Sequence, residues 1–253
     1  MLLNCFAFVF GAAIGSFLNV CIFRLPAKTS IIKPDSRCPH CLHPLRFYDN
    51  IPLISFIFLR GKCRDCGGAI SWRYPLVELI TALLALLLFL KFGPTLNFFT
   101  FFIFTAVLIV ITFIDLDHQI IPDILTLPGI PLFFLAAIFL VKVPWPEALW
   151  GLFIGGGILL AIAFVYEFIA KREGMGGGDI KLLAMIGGFL GWKSLIFILL
   201  FSSFSGAVIG ITAMIIKGKD MKYAVPFGPF LSFAAVAYIF WGDVFMRVLL
   251  SRN

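Results

Sequence analysis

Charge is what this sequence has least of. Only 13% of its 253 residues are Asp, Glu, Lys or Arg, about half the roughly 25% of an ordinary soluble domain. Three histidines add little. The chain therefore lacks the polar side chains needed to coat a water-solvated globule. Also missing is a glycine fingerprint that follows a strand and opens a helix, which excludes a soluble cofactor-binding fold of that type. What replaces the missing charge is apolar bulk: 61% hydrophobic residues, with 31 phenylalanines. A soluble core cannot hide that much apolar surface, so lipid must solvate it. The 13 acidic residues are outnumbered by 20 basic ones, giving a net charge of +7. That balance needs no nucleic acid partner, because cytoplasmic loops of membrane proteins accumulate Lys and Arg.

Apolar runs at 2–23, 76–92, 97–114, 124–141, 148–170, 194–216 and 225–246 approach or reach the about 20 residues that span a bilayer. A shorter run, 180–192, contains Gly187, Gly188 and Gly191; its length suits a short span, a re-entrant segment or half of a broken helix. The sequence thus predicts an all-α polytopic membrane protein of about eight segments. The first run is too long, too rich in glycine and too poor in N-terminal charge for a cleaved signal peptide, and reads as a retained helix. Gly11/Gly15 and Gly206/Gly210 have the small-xxx-small spacing that permits close helix packing. Placing the 24–75 loop in the cytoplasm also places 115–123, 171–181 and 217–224 there. Only Lys91, Lys142, Lys193, Arg247 and Arg252 then lie outside, leaving 15 of the 20 basic residues inside. That is a positive-inside bias, and it puts both termini on the outer face.

The one stretch that looks water-soluble is 24–75, too small to fold readily without a staple. It contains Cys38-Pro-His-Cys41 and Cys63-Arg-Asp-Cys66, with 21 residues between the pairs. Two C-x-x-C pairs at this spacing suit a four-thiolate zinc knuckle, each placing two sulfurs on one tetrahedral ion. A cytoplasmic location argues against the alternative of two disulfides. Four thiolates leave no open position for water, so the role expected of zinc is structural. His40 and His43 read as surface residues, His40 being also a substitute ligand candidate. Cys5 and Cys21 lie in the first apolar run and read as packing residues.

Carboxylates at membrane edges are the second signal, because an ionisable group near lipid is costly and marks a site. Asp115 and Asp117 end the third long run, in Asp115-Leu-Asp-His-Gln-Ile-Ile-Pro-Asp123. Asp179 follows Gly174-Met-Gly-Gly-Gly178 and opens the short segment. Two carboxylates brought together share a proton, which is what an aspartyl protease uses: one activates water and the other protonates the peptide carbonyl. Glycines at 176 and 178 allow close backbone approach to a substrate strand, or a bend with positive φ. A helix N-cap is the plainer reading of Asp179, and a turn that starts the next helix is that of Asp123. Span-end geometry does not choose between Asp115 and Asp117. The same residues also suit proton or cation sites in an ion-coupled transporter, although no internal repeat of the kind transporters show is evident. A zinc-stabilised scaffold is a third class, and it leaves the edge carboxylates without a role.

Taken in order, these motifs resemble the bacterial type IV prepilin peptidases, the leader peptidase/N-methyltransferases of the G-x-G-D type. The resemblance runs through Gly15-Ser-Phe-Leu-Asn-Val20, Arg24-Leu-Pro26, the two cysteine pairs, Arg73-Tyr-Pro-Leu-Val-Glu78, Asp115 to Asp123, Gly176-Gly-Gly-Asp179-Ile-Lys181 and Pro226-Phe-Gly-Pro-Phe230. It implies an intramembrane aspartyl protease whose dyad is Asp115 and Asp179, in a bacterial inner membrane. It implies prepilin or pseudopilin substrates cut after a glycine at the cytoplasmic face. The new N-terminal residue, usually Phe, is then methylated from S-adenosylmethionine. The corresponding domains are a first helix, 1–23; a zinc-knuckle, methyltransferase-associated domain, 24–75; and a membrane peptidase domain of about seven segments, 76–253. Glu78, at the edge of the second span, suits pairing with Arg73, a structural anchor or neutralisation of a substrate amine; Gly61 and Lys62 are weaker candidates. Oligomeric state is not legible.

Overall fold

The computed structural model describes residues 2–33, 36–170, 176–217 and 226–250. Among them the elements are α1 (Leu2–Arg24), α2 (Ile54–Phe58), α3 (Arg73–Phe92), α4 (Leu96–His118), α5 (Asp123–Ala136), α6 (Trp145–Ala170), α7 (Gly177–Leu190), α8 (Trp192–Lys217) and α9 (Gly228–Leu250). A 3-10 turn, Phe47–Asn50, precedes α2, and a π turn, Ala137–Val141, extends α5. In hydrocarbon every backbone N–H and C=O must be satisfied within its own segment, and that selects helices. Seven of these helices are long and apolar enough to cross a membrane. At 14 residues α7 is not among them; about 21 Å of helix falls short of a hydrocarbon core of about 30 Å. The chain divides into two compact units, Met1–Val110 and Ile111–Asn253, with the division falling inside α4.

In the first unit α1 lies against α3. A Cβ on Gly11 would stand 2.5 Å from the Ala85 Cβ, and one on Gly15 would stand 2.7 Å from the Glu78 Cα. The small-xxx-small reading of this pair therefore holds, since bare backbone is what brings the axes together. Asn19 Nδ2 donates to the Tyr74 carbonyl at 3.0 Å and ties the C-terminal end of α1 to the N-terminal end of α3. Further along, phenylalanine rings do the packing, with Phe92 stacked on Phe101 at 4.6 Å and Phe10 meeting Phe102 at 5.4 Å.

In the second unit the tightest junction joins α6 to α7. Gly151 and Gly187 face each other so closely that a Cβ on either would collide with the other's carbonyl oxygen, and one on Gly155 would meet the Leu183 oxygen at 2.5 Å. The Gly206/Gly210 pair does not act this way, contrary to its spacing. Gly206 faces the Phe230 ring at 3.6 Å and nothing lies within 4 Å of a Cβ on Gly210. Spacing alone cannot say which small residues have backbone opposite them. Helix α5 carries Pro128 and Pro131 internally; between them Gly129 receives Met185 of α7, whose Sδ would lie 2.5 Å from a Cβ there.

This contrast is testable. Gly187→Val forces a side chain into a backbone carbonyl and should destabilise the protein by about 3 kcal/mol, read as a lowered thermal unfolding midpoint in detergent. Gly210→Val should stay within about 0.5 kcal/mol of the parent. Equal effects at both positions would contradict the assigned interface.

Candidate active site

Asp115 sits in the last turn of α4 and is 5% exposed. Its Oδ2 accepts the backbone N–H of Gly228, at the start of α9, at 3.1 Å. The fit there is close: a Cβ on residue 228 would lie 2.6 Å from that oxygen and 3.1 Å from Ile121 Cδ1. Asp117, two residues on, is exposed. The α-helical advance of about 100° per residue thus turns the two carboxylates to different surroundings, a distinction that reading span ends could not make.

Asp179 is the third residue of α7. Gly176 precedes the helix with φ −69° and ψ 137°, and accepts the Asp179 N–H at 3.2 Å. Asp179 is thus in the first turn rather than at the N-cap, where the helix dipole favours a negative charge. Its Oδ1 is buried and has no hydrogen-bond partner among the described residues. Asp115 and Asp179 lie close enough for the charge of one to act on the other. Chain positions more than sixty residues apart are therefore joined into one acidic pair.

The bend with positive φ is not what the glycines before Asp179 provide, and the close approach seen at Gly178 is to Ile121. Positive φ occurs at Gly61, Gly67, Gly93 and Gly191, and not at Gly176, Gly177 or Gly178. A Cβ on Gly178 would stand 2.8 Å from the Ile121 Cβ, so the loop before α5 presses directly on the helix start. Gly174 lies outside the described residues. Asp123 opens α5 and receives Lys181 Nζ at 2.7 Å. This exposed ion pair ties α5 to α7 two residues beyond Asp179, and nothing in the sequence marked these two residues as partners.

The four cysteines of the 24–75 segment converge. Their sulfurs all lie within 4.8 Å of one another, with Cys38 and Cys63 buried and Cys41 and Cys66 exposed. The Cys38 and Cys66 sulfurs are 3.8 Å apart, too far for a disulfide and close to the about 3.8 Å edge of a tetrahedron with metal–sulfur bonds of about 2.3 Å. The two pairs are built alike. Cys38 N–H donates to His43 O at 3.0 Å and Cys63 N–H to Gly68 O at 2.8 Å. Bridges Arg37–Pro44 and Lys62–Ala69 close each knuckle, and Leu42 (φ 58°) matches Gly67 (φ 69°). The amides of Cys41 and His40 draw the Cys38 thiol down to about 6. Against the pull of the His43 amide, desolvation and neighbouring thiols push Cys41 up to about 12. A cluster this tight holds several thiolates only around a cation. His40 is not one of the four donors; its Nε2 lies 3.3 Å from the Ala69 carbonyl.

Comparison with known proteins bears on both sites. Residues 9–92 match the bacterial peptidase A24 N-terminal domain, and residues 102–211 match the type IV leader peptidase family. A prepilin leader peptidase/N-methyltransferase of Aeromonas salmonicida (strain A449) is 39% identical, over 96% of this chain and 92% of its own length. One of Pseudomonas aeruginosa is 36% identical, over 95% and 91%, and one of Myxococcus xanthus is 43% identical, over 85% and 64%. No solved structure matches. The matches favour the peptidase over a transporter or scaffold reading of the same carboxylates. With both domain matches in order and such identity along nearly the whole sequence, the chain belongs to the type IV leader peptidase family.

Proposed function

We propose that this protein cleaves the leader from type IV prepilins or pseudopilins and N-methylates the residue so exposed, with Asp115 and Asp179 as its proteolytic acid–base pair. The observation that carries the reading is the pairing itself: a buried Asp115 beside an Asp179 whose Oδ1 has no partner among the described residues. Two adjacent carboxylates hold one proton between them. The ionised member takes a proton from water as its oxygen attacks the scissile carbonyl; the other gives its proton to the carbonyl oxygen. Collapse of the tetrahedral intermediate returns a proton to the departing amine. Gly228 positions Asp115 through its N–H, and the open space at Gly176 leaves room before Asp179 for an extended substrate strand, while Gly178 lets the helix start close on Ile121. A helical peptide bond is already hydrogen-bonded and shielded.

The placement follows from charge. In a bacterial inner membrane, with 24–75, 115–123, 171–181 and 217–224 inside, both carboxylates lie at the cytoplasmic face. A basic leader stays in the cytoplasm, and the apolar helix after the scissile bond stays in lipid. Cys38, Cys41, Cys63 and Cys66 hold zinc as a structural cross-link of the 24–75 domain, while 76–253 forms the peptidase domain. S-adenosylmethionine is the methyl donor, a consumed co-substrate with an activated methyl group.

Asp115→Asn and Asp179→Asn should each lower cleavage by roughly 10²–10⁴-fold with the protein still in the membrane, in an assay on a peptide with a basic leader, Gly-Phe and an apolar segment. Asp117→Asn should cost less than about tenfold; if it is the inactive variant, the dyad is misassigned. For the metal, about one zinc per chain should co-purify. Cys38→Ser or Cys66→Ser should release it and open 24–75 to proteolysis, while cleavage partly survives. Metal-free protein with an unchanged, protease-resistant loop would rule the knuckle out.

A further inference from the structure

Helix α2 and the first turns of α3 frame an apolar cavity of about 640 Å³, within the roughly 300–1,000 Å³ of small-ligand sites. Leu53, Phe56 and Ile57 form one side, and Trp72, Leu76 and Leu79 form the other. Phe56 and Trp72 meet edge to face at 4.8 Å. The lining is left open: Ile57 is 73% and Trp72 78% exposed. Below it, Leu83, Leu87 and Leu90 continue the exposed face of Leu76 and Leu79 at helical spacing, a track for an apolar helix entering from the membrane.

Behind the Leu53 wall lies Glu78, buried and 8% exposed. Its Oε2 accepts the Leu53 N–H at 2.8 Å, with Ser16 of α1 nearby. No ion pair among the described residues neutralises it, so of the three readings the sequence left open, pairing with Arg73 is not the one the structure shows. Leu53 adopts φ 61° and ψ −47° to make its bond, and Arg60, the charged residue at the cavity, also has positive φ, 51°. Residues with a Cβ persist in such conformations where the surroundings require them, commonly at functional sites. A buried carboxylate with no ion-pair partner among the described residues, behind the Leu53 wall of an open and mostly apolar cavity, matches a ligand that carries an amine and an apolar side chain together.

The N-terminus released by leader cleavage is such a ligand. We propose that this cavity holds the first side chain of the cleaved pilin and that the Glu78 carboxylate takes the proton from its ammonium group. The assignment rests on the peptidase and methyltransferase reading above. Proton transfer to Glu78 leaves a neutral amine with a free lone pair. That nitrogen attacks the methyl carbon of the sulfonium donor; the N–C bond forms as the C–S bond breaks, and the electron pair goes to sulfur. The products are a secondary ammonium and the neutral thioether S-adenosylhomocysteine.

The test uses the full chain in detergent with peptides whose mature part begins with Phe or Ala, scoring cleavage and methylation separately by mass. Glu78→Gln should lower the methylated fraction of cut product by roughly 10²-fold near neutral pH. It should recover above about pH 9, where an α-amine of pKa about 7.7–8.0 is already neutral; a merely structural role would not produce that rescue. Leu76→Trp fills the cavity. Without any methyl donor it should weaken binding of a pre-cut Phe-first peptide by about tenfold, and of an Ala-first peptide by less than about twofold. Should Glu78→Gln fail to fold, this binding contrast decides alone. Normal methylation in Glu78→Gln, or equal binding of the two peptides to Leu76→Trp, overturns the site while intact cleavage preserves the peptidase reading. Loss of co-purified phospholipid from Leu76→Trp with peptide binding unchanged makes the cavity a lipid site and also overturns it. Parent protein that neither cuts nor methylates refutes the underlying function itself.

Discussion

Lipid offers no hydrogen bonds and little screening, and that sets where this chain can carry charge. A span must close its own backbone bonds, and an ionisable side chain is tolerable mainly where a helix ends or faces a polar cavity. Asp115 is in the last turn of α4 and Asp179 in the first turn of α7, so the two carboxylates meet only because two helix ends do. Neither helix determines that by itself. The Gly151–Gly187 contact lets α7 lie against α6 backbone to backbone, the Asp123–Lys181 pair fastens its first turn to α5, and the start of α9 supplies the amide that Asp115 accepts. The meeting of the two carboxylates thus depends on packing with three helices, α5, α6 and α9, that carry neither of them.

Outside the hydrocarbon the problem is reversed. The 24–75 segment, which holds no membrane-length apolar helix, is too small for a stable core of its own. Its two knuckles present four sulfurs within 4.8 Å, and a shared cation would close them without a larger core. The apolar groups it does have, around α2 and Trp72, are turned outward to the cavity instead of inward. That is a poor use of them for stability and a sensible one for binding.

Much of this was legible in sequence because lipid imposes simple rules. Long apolar runs became helices nearly at their predicted limits, the Gly11/Gly15 pair met α3, and the C-x-x-C pairs converged. Chemistry with several partners was harder to read. Gly206/Gly210 and Gly151/Gly155 have the same spacing, yet only the second pair faces backbone. The likeness of the two knuckles hides in sequence because Leu42 stands where Gly67 does, both at positive φ. Gly228 stood in a motif without a role until its N–H was seen on Asp115, and the strain at Leu53 that reaches Glu78 has no sequence signature. Asp115 and Asp117 differ by two residues in the chain but by some 200° around the helix, and only the fold separates them.

The most direct test of the acid–base pair follows the oxygen. In a single turnover run in ¹⁸O-enriched water, attack by a water that Asp115 and Asp179 activate places one ¹⁸O atom in the new carboxylate of the released leader and none in the enzyme. An unlabelled leader, with ¹⁸O appearing instead in Asp115 or Asp179, would mean that a carboxylate attacked the peptide bond itself, and would contradict the mechanism.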